Sequence, residues 1–329
     1  MNLASFLKPH LDSSFILRSR VHHLKNFCDK GSFFVKRDDE LSFGISGCKF
    51  RKYASLLPFL EKNKFTKVAL VGSCYSNHIV GFLQLLHEKN IDYHLFLHKT
   101  HEKDLKGNHL LLHLLSDKTK RTILDQASWK KKDHIIPQLI EKNTYYVPEG
   151  ALCRPALFGG MTLAEDLLVN EKCLKIKFDH LFIDAGSGFS AIALLLGLSF
   201  AKHDKYVHIV QTYYDTTSFE HHLMFFKSQL ERILQIQLVL PPYFLYPSCI
   251  GKSFGSTPKC VFESLVFLAK NQGILTDPIY TAKLFPTAKE ISLKKNLEGN
   301  KLIIHSGGGL SLMGFLSELT KLELETTNH

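Results

Sequence analysis

The sequence predicts an α/β fold with mostly parallel sheets, on three observations. Short apolar runs rich in β-branched and aromatic residues alternate with amphipathic stretches along the 329 residues. Loops of Gly, Ser and Asn follow several of these runs and lead directly into helical patterns. No Pro/Gly-rich linker interrupts the alternation, so a second domain is expected as an insertion and not as a bead on a string.

In chain order, the expected strands are Phe33–Val35, Lys67–Val71, His94–Leu97, Tyr145–Val147, His180–Ile183, Tyr206–Val210, Gln237–Leu240 and Lys301–Ile304. Between them, Tyr53–Lys62, Ile79–Lys89, Gly159–Val169 and Ser190–Phe200 read as amphipathic helices. Ala185 to Ala201 runs 17 residues without a charge and imitates a membrane span. It opens with Gly186 and Gly188, Asp184 and Lys202 bracket it, and a spanning helix wants about 20 residues. A buried strand-loop-helix is therefore expected, with no membrane partner.

Composition narrows the class. A hydrophobic content of 45% supports large cores, and a net charge of +10 favours anionic ligands. The run Trp129-Lys130-Lys131-Lys132 has one aromatic beside it and reads as a solvated face, not a nucleic-acid patch. Seven scattered cysteines without C-x-x-C argue against a disulfide framework or a cysteine zinc site and suit a reducing cytosol. His109 and His113 have the spacing of a helical metal pair, but no Glu follows His109. They are read as surface histidines, and no metal is expected. Lys8 and Pro9 break the only short apolar stretch near the start, which does not read as a signal peptide.

In α/β folds ligands sit at the carboxyl ends of strands, where loops meet helix N-termini. Four loops qualify. Ser46-Gly47-Cys48-Lys49 puts Lys49 in the first turn of a helix, where the dipole disfavours a cation. With Arg51 and Lys52 nearby, that field would lower the pKa of Lys49, which is how nucleophilic lysines are made; an ordinary cationic surface helix is the plainer alternative. The loop Gly72-Ser73-Cys74-Tyr75-Ser76-Asn77-His78 offers hydroxyl and amide donors beside free backbone N–H groups, either an anion cup or a simple N-cap. The loop Gly186-Ser187-Gly188-Phe189-Ser190 suits a phosphate. Its G-x-G-x-x-A spacing also admits a dinucleotide, but the next strand ends in Gln211 where a ribose-binding acid is wanted. The fourth loop is His305-Ser306-Gly307-Gly308-Gly309, with Asp277-Pro278-Ile279-Tyr280-Thr281 upstream.

Taken together, these loops and the runs Val35-Lys36-Arg37-Asp38-Asp39 and Val147-Pro148-Glu149-Gly150 resemble the pyridoxal-phosphate (PLP) enzymes grouped as 1-aminocyclopropane-1-carboxylate (ACC) deaminase and D-cysteine desulfhydrase. The resemblance runs from about residue 20 to 315. It implies a fold-type II PLP enzyme: two parallel-sheet three-layer domains with PLP in the cleft between them. The large domain would be residues 1–48 and 155–329 and the small inserted domain 49–154, in a cytoplasmic homodimer. By resemblance, Lys49 is the Schiff-base lysine. Asn77 would bond the cofactor's 3-hydroxyl, and the segment Gly186, Ser187, Gly188, Phe189 and Ser190 would cradle the phosphate. Ser306 would meet the pyridine nitrogen. Ser76, Asn77 and His78 would hold the substrate carboxylate. Tyr280 would be an acid/base or orienting group, with Thr281 beside the substrate.

Ring-opening members resemble one another in having Glu after the tyrosine and an aliphatic residue after the histidine, where this chain has Thr281 and Ser306. A hydroxyl gives the ring nitrogen no charge, so a good leaving group such as thiolate is favoured. The resemblance thus implies β-elimination from D-cysteine to pyruvate, ammonia and sulfide. ACC deamination and PLP binding with weak catalysis are the alternatives. Three positions depart from the pattern: Cys48 stands for Asn, Phe189 for a second Gly that would leave the phosphate loop wider, and Phe254 for a tyrosine. Cys48 and Cys74, both expected near the cofactor, are read as buried.

Overall fold

The computed structural model describes residues 2–42, 47–99, 105–212, 215–251, 253 and 255–327. Its strands are β1 (Val21–His23), β2 (Phe33–Lys36), β3 (Lys67–Ser73), β4 (Asp92–His98), β5 (Arg121–Leu124), β6 (Thr144–Val147), β7 (His180–Ala185), β8 (Tyr206–Gln211), β9 (Tyr243–Pro247) and β10 (Lys301–Ile304). Its α-helices are α1 (Leu3–Leu7), α2 (Cys48–Lys62), α3 (Asn77–Glu88), α4 (Asn108–Leu115), α5 (Gln126–Lys130), α6 (Lys132–Leu139), α7 (Arg154–Leu174), α8 (Phe189–Phe200), α9 (Thr216–Leu234), α10 (Lys259–Gln272), α11 (Thr281–Lys294) and α12 (Leu316–Thr327).

Two sheets result. The larger has the order β1-β2-β10-β7-β8-β9, and the smaller β5-β4-β3-β6. β1 runs antiparallel to β2, and the other pairings are parallel. Strand side chains alternate between faces, which makes each sheet the middle of three layers. Leu181 and Ile183 of β7 enter an apolar cluster with α7, α8 and α9, while Phe182 enters another with Leu284, Phe285 and Ala288 of α11. In the smaller sheet, Val68 and Leu70 face α2 and α3, and Ala69 and Val71 face Ile136 of α6.

Helix α2 carries Lys49 and packs on α7. The contact needs a glycine: a Cβ on Gly159 would lie 2.0 Å from the Arg51 carbonyl oxygen. Such backbone approach fixes the height of α2 over the larger sheet.

The structure departs from the sequence expectation in a few places. Gln237–Leu240 is irregular, with Val239 83% exposed, and the strand begins instead at Tyr243. Pro241 and Pro242 intervene, and without N–H groups they cannot join a ladder from both sides. β1 and β5 are short edge strands with weak patterns and were not expected. His109 is buried, edge-on to the Tyr75 ring, and is not a surface histidine. The uncharged segment after Asp184 is the end of β7, a loop and α8, and among the described residues no helix is long and apolar enough to cross a membrane.

Candidate active site

The loops identified in the sequence meet at the carboxyl ends of β7 and β10. Gly47, with φ of 57°, brings the start of α2 against the loop after β10: a Cβ there would lie 2.0 Å from the Ser306 carbonyl oxygen. The Cys48 N–H donates to that oxygen at 3.2 Å. Ile45 and Ser46 lie outside the described residues, as does Phe254. The half-buried Lys49 places its Nζ 5.9 Å from the centroid of the Tyr280 ring. That ring lies against the loop after β7, where a Cβ on Gly186 would come within 2.8 Å of it. Gly188 caps α8 with φ of 76°, backed by the Phe219 ring 2.7 Å from where a Cβ would stand.

The loop after β3 joins through α2. Ser76 caps α3, its Oγ accepting from the N–H groups of His78 at 3.2 Å and Ile79 at 3.4 Å. Both bonds use lone pairs, so the hydroxyl proton stays available to an anion. His78 is buried, with Nδ1 3.0 Å from the Tyr53 hydroxyl and Nε2 without a partner among the described residues. Burial, then the charges of Lys52 and Lys49, push its pKa down to about 3, so it is neutral in the working range. Asn77 accepts from Nδ2 of the buried Asn108 at 2.7 Å. With its oxygen so engaged, Asn77 presents its own amide N–H groups.

Behind α2 lies a buried ionic cluster. Arg51 bonds both carboxylate oxygens of Asp38 at 2.7 Å and reaches Asp166 Oδ2 at 2.8 Å. Lys36 completes it with a bond to Asp166 at 2.6 Å. The Arg51 charge, expected to act on Lys49, is thus neutralised on the far side of the helix. The same Asp38 accepts from the Cys48 thiol at 3.3 Å, and burial, then that carboxylate, raise the Cys48 pKa well above the usual thiol value. Cys48 and Cys74 are both buried.

In front of α2 the situation is reversed. Lys52 is 3% exposed, donates to the Gly150 carbonyl at 3.1 Å and stands 5.1 Å from the Phe189 ring centroid. Burial, then the Lys49 charge, depress its pKa to about 7. Gly150 in turn backs onto the loop after β7, since a Cβ there would meet Ser187 Oγ at 2.4 Å. Lys52 is thus a buried amine close to the loop after β7, a placement not assigned from the sequence. Its position three residues after Lys49, on the same helix face, is the signal that points to it.

The remaining residues are distributed as follows. Phe189 is fully buried and packs on Phe226 at 4.9 Å, so its bulk goes into the core beneath the loop. Ser187 is exposed and Ser190 half-buried at the start of α8. Thr281 is fully buried at the start of α11, its hydroxyl donating to Asp277 Oδ2 at 2.7 Å. Ser306 is 8% exposed. Tyr280 has its phenol pKa raised by burial and by the carboxylates of Asp277, Asp184 and Glu149. The arrangement therefore combines a primary amine, a protonated phenol, a glycine loop with a buried lysine beside it, and amide and hydroxyl donors.

No family model matches the chain. A Pyrococcus abyssi protein provisionally named as an ACC deaminase is 26% identical over 294 residues, 88% of each chain. The mitochondrial bifunctional D-cysteine desulfhydrase/ACC deaminase of Arabidopsis thaliana is 23% identical over 97% of this chain and 84% of its own. Among solved structures, an ACC deaminase homologue superposes with a TM-score of 0.86 at 23% identity, over 98% of this chain and 99% of that one. The chain is similar to proteins named as ACC deaminase and D-cysteine desulfhydrase, and its two-sheet α/β architecture is the fold seen in fold-type II PLP enzymes.

Proposed function

We propose that the chain is a PLP-dependent lyase or deaminase of a small amino acid, with β-elimination from D-cysteine to pyruvate, ammonia and sulfide as the leading reaction. The observation that carries this reading is the Lys49 amine facing Tyr280, beside a glycine loop that tolerates no Cβ at Gly186.

The residues fit the cofactor. The loop from Gly186 to Ser190, the N-terminus of α8 and Lys52 would hold its phosphate, and Asn77, oriented by Asn108, its 3-hydroxyl. Lys49 would hold its carbonyl carbon. When bound, PLP supplies an electron sink for charge developing at the amino-acid Cα. Ser76 and the N–H groups opening α3 would bind the substrate carboxylate. Lys49 would carry the Cα proton. Tyr280, protonated through the working range, acts as a hydrogen-bond donor or acid and not as a phenolate base.

ACC deamination to α-ketobutyrate and ammonia is the second reading. It is favoured because the Pyrococcus and Arabidopsis relatives carry that activity in their names. The first experiment is the absorption spectrum of the purified protein beside Lys49→Ala. A visible cofactor band in the wild type, lost in the variant and perturbed by D-cysteine, is expected. Absence of any band after PLP is added sinks the proposal. Pyruvate formed from D-cysteine against α-ketobutyrate formed from ACC then separates the two readings. Gel filtration tests the homodimer that the resemblance implies.

A further inference from the structure

We propose that the cavity between α4 and the β4–β5 edge of the smaller sheet is a binding site for a small organic carboxylate, held by Lys99, Arg121 and His113. The site is separate from the candidate active site and does not depend on its cofactor.

The cavity follows from the shortness of α4. In the smaller sheet β5 is an edge strand, paired with β4 so that Leu97 stands opposite Ile123. Lys99 extends the ladder beyond β4, its N–H donating to the Leu124 carbonyl at 2.9 Å. Side chains two apart on a strand share a face, so Leu97 and Lys99 point the same way, as do Arg121 and Ile123. The eight-residue α4 packs its buried Leu112 in one cluster with Leu97 but leaves β5 open, where Ile123 is 54% exposed. A cavity of about 290 Å³ remains, lined by these side chains, by His109 and His113 of α4 and by Cys74 of the loop after β3.

The lining carries the cations Lys99 and Arg121 and, among the described residues, no acid. Arg121 is fixed in place. Its Nε donates to Ser116 Oγ at 3.0 Å and its Nη2 to the Ser116 carbonyl, bonds that do not use Nη1. The Arg121 charge is felt across the cavity. Burial raises the Cys74 pKa, and that charge opposes it. Burial, then the charges of Arg121, His109 and Lys118, lower the pKa of His113. Like charges thus converge with no lining acid to offset them, which an anion would do. The His109 ring stands 5.0 Å from that of His113, and its buried Nδ1 has no partner among the described residues. Buried polar atoms normally pair, so this open nitrogen in the same wall is a second feature that calls for a ligand.

The rest of the wall narrows the anion. Leu97, Leu112 and Ile123 are apolar, which suits a carboxylate on a short hydrocarbon chain better than inorganic phosphate, polar on every side. The carboxylate would accept from Arg121 Nη1 and from the Lys99 ammonium, with the chain against the leucines. Its charge would also raise the pKa of His113 and so recruit a third donor.

The test titrates sodium butyrate, and separately inorganic phosphate, into the purified protein with carbon-13 in its histidine rings, at constant pH and ionic strength. The His113 signal is assigned with His113→Gln. Butyrate is expected to move it saturably toward the imidazolium position, and phosphate is not. In Arg121→Gln the midpoint is expected to rise about tenfold or more, as for loss of a hydrogen bond to a charged group. Lys99→Gln, at an exposed position, is expected to raise it about threefold and keeps the test decisive if Arg121→Gln does not fold. A His113 signal that butyrate does not move overturns the proposal. So does a wild-type midpoint in both variants. Saturation by phosphate in place of butyrate overturns the assignment to a carboxylate.

Discussion

Two cations one residue apart on α2 have opposite surroundings. Arg51 and Lys52 are both buried, at 0% and 3% exposure. Arg51 faces back toward α7 and bonds two carboxylates, and its pKa is raised by them against the cost of burial. Lys52 faces the loop after β7 and among the described residues meets a carbonyl and an aromatic ring, and its pKa falls to about 7. A buried charge with its counter-charges in place is scaffolding. One without them is set to bind, because an incoming anion supplies what the fold withholds.

Several substitutions would break or sharpen this contrast. The largest effect is expected from Arg51→Met, which leaves Asp38 buried and short of partners and should cost about 3–5 kcal/mol of stability. Urea denaturation measures it, and a loss below about 1 kcal/mol would remove the scaffolding role. Lys52→Met should leave cofactor-free stability unchanged or higher. It should weaken PLP binding about 10- to 100-fold, as expected for a hydrogen bond to a charged group of about 1.5–3 kcal/mol. Absorption titration with PLP decides, and unchanged affinity would separate Lys52 from the phosphate.

The pH dependence sharpens the same point. Lys52 loses its proton near pH 7 in the folded protein and near 10.5 when unfolded. Between those values the unfolded chain holds more protons, so the contribution of this group to cofactor-free stability rises with pH. PLP affinity should move the other way. The phosphate is already dianionic above pH 7, and binding must increasingly recruit a proton to Lys52. A fall in affinity from pH 7 to 9 that is flatter in Lys52→Met is the expected result. The same slope in both proteins would assign it to another group. The smallest effect belongs to Asn108→Ala, which releases the Asn77 amide. A net loss of about 0.5–1.5 kcal/mol corresponds to a roughly twofold to twelvefold weaker PLP affinity by the same titration.

The fold class was legible because it depends on periodicity. Runs such as Leu181-Phe182-Ile183 declare a strand buried on both faces wherever they occur. Ser76 and the Gly186–Ser190 loop were legible because they sit at strand-to-helix junctions, and Lys49 because it sits in the first turn of α2, all of which short-range patterns mark. The strand expected at Gln237–Leu240 failed for a local reason, since the two prolines after it delay pairing until Tyr243. The His109 expectation failed for a tertiary one, because spacing does not say which face of a helix is covered.

The sequence by itself determined the alternation of strands and helices, the loops at the strand ends and the lysine in the first turn of α2. Only the tertiary structure decided which groups keep an open valence. Asp38 and Asp277 look no different in sequence from Asp184, yet the first two are saturated by Arg51 and by helix N–H groups, and Asp184 Oδ1 has no partner among the described residues. Asn108 acquires its place beside Asn77 across 31 residues of chain. The physical reason is that charge and hydrogen-bonding capacity are cancelled or left open by partners distant in sequence, which periodicity does not encode.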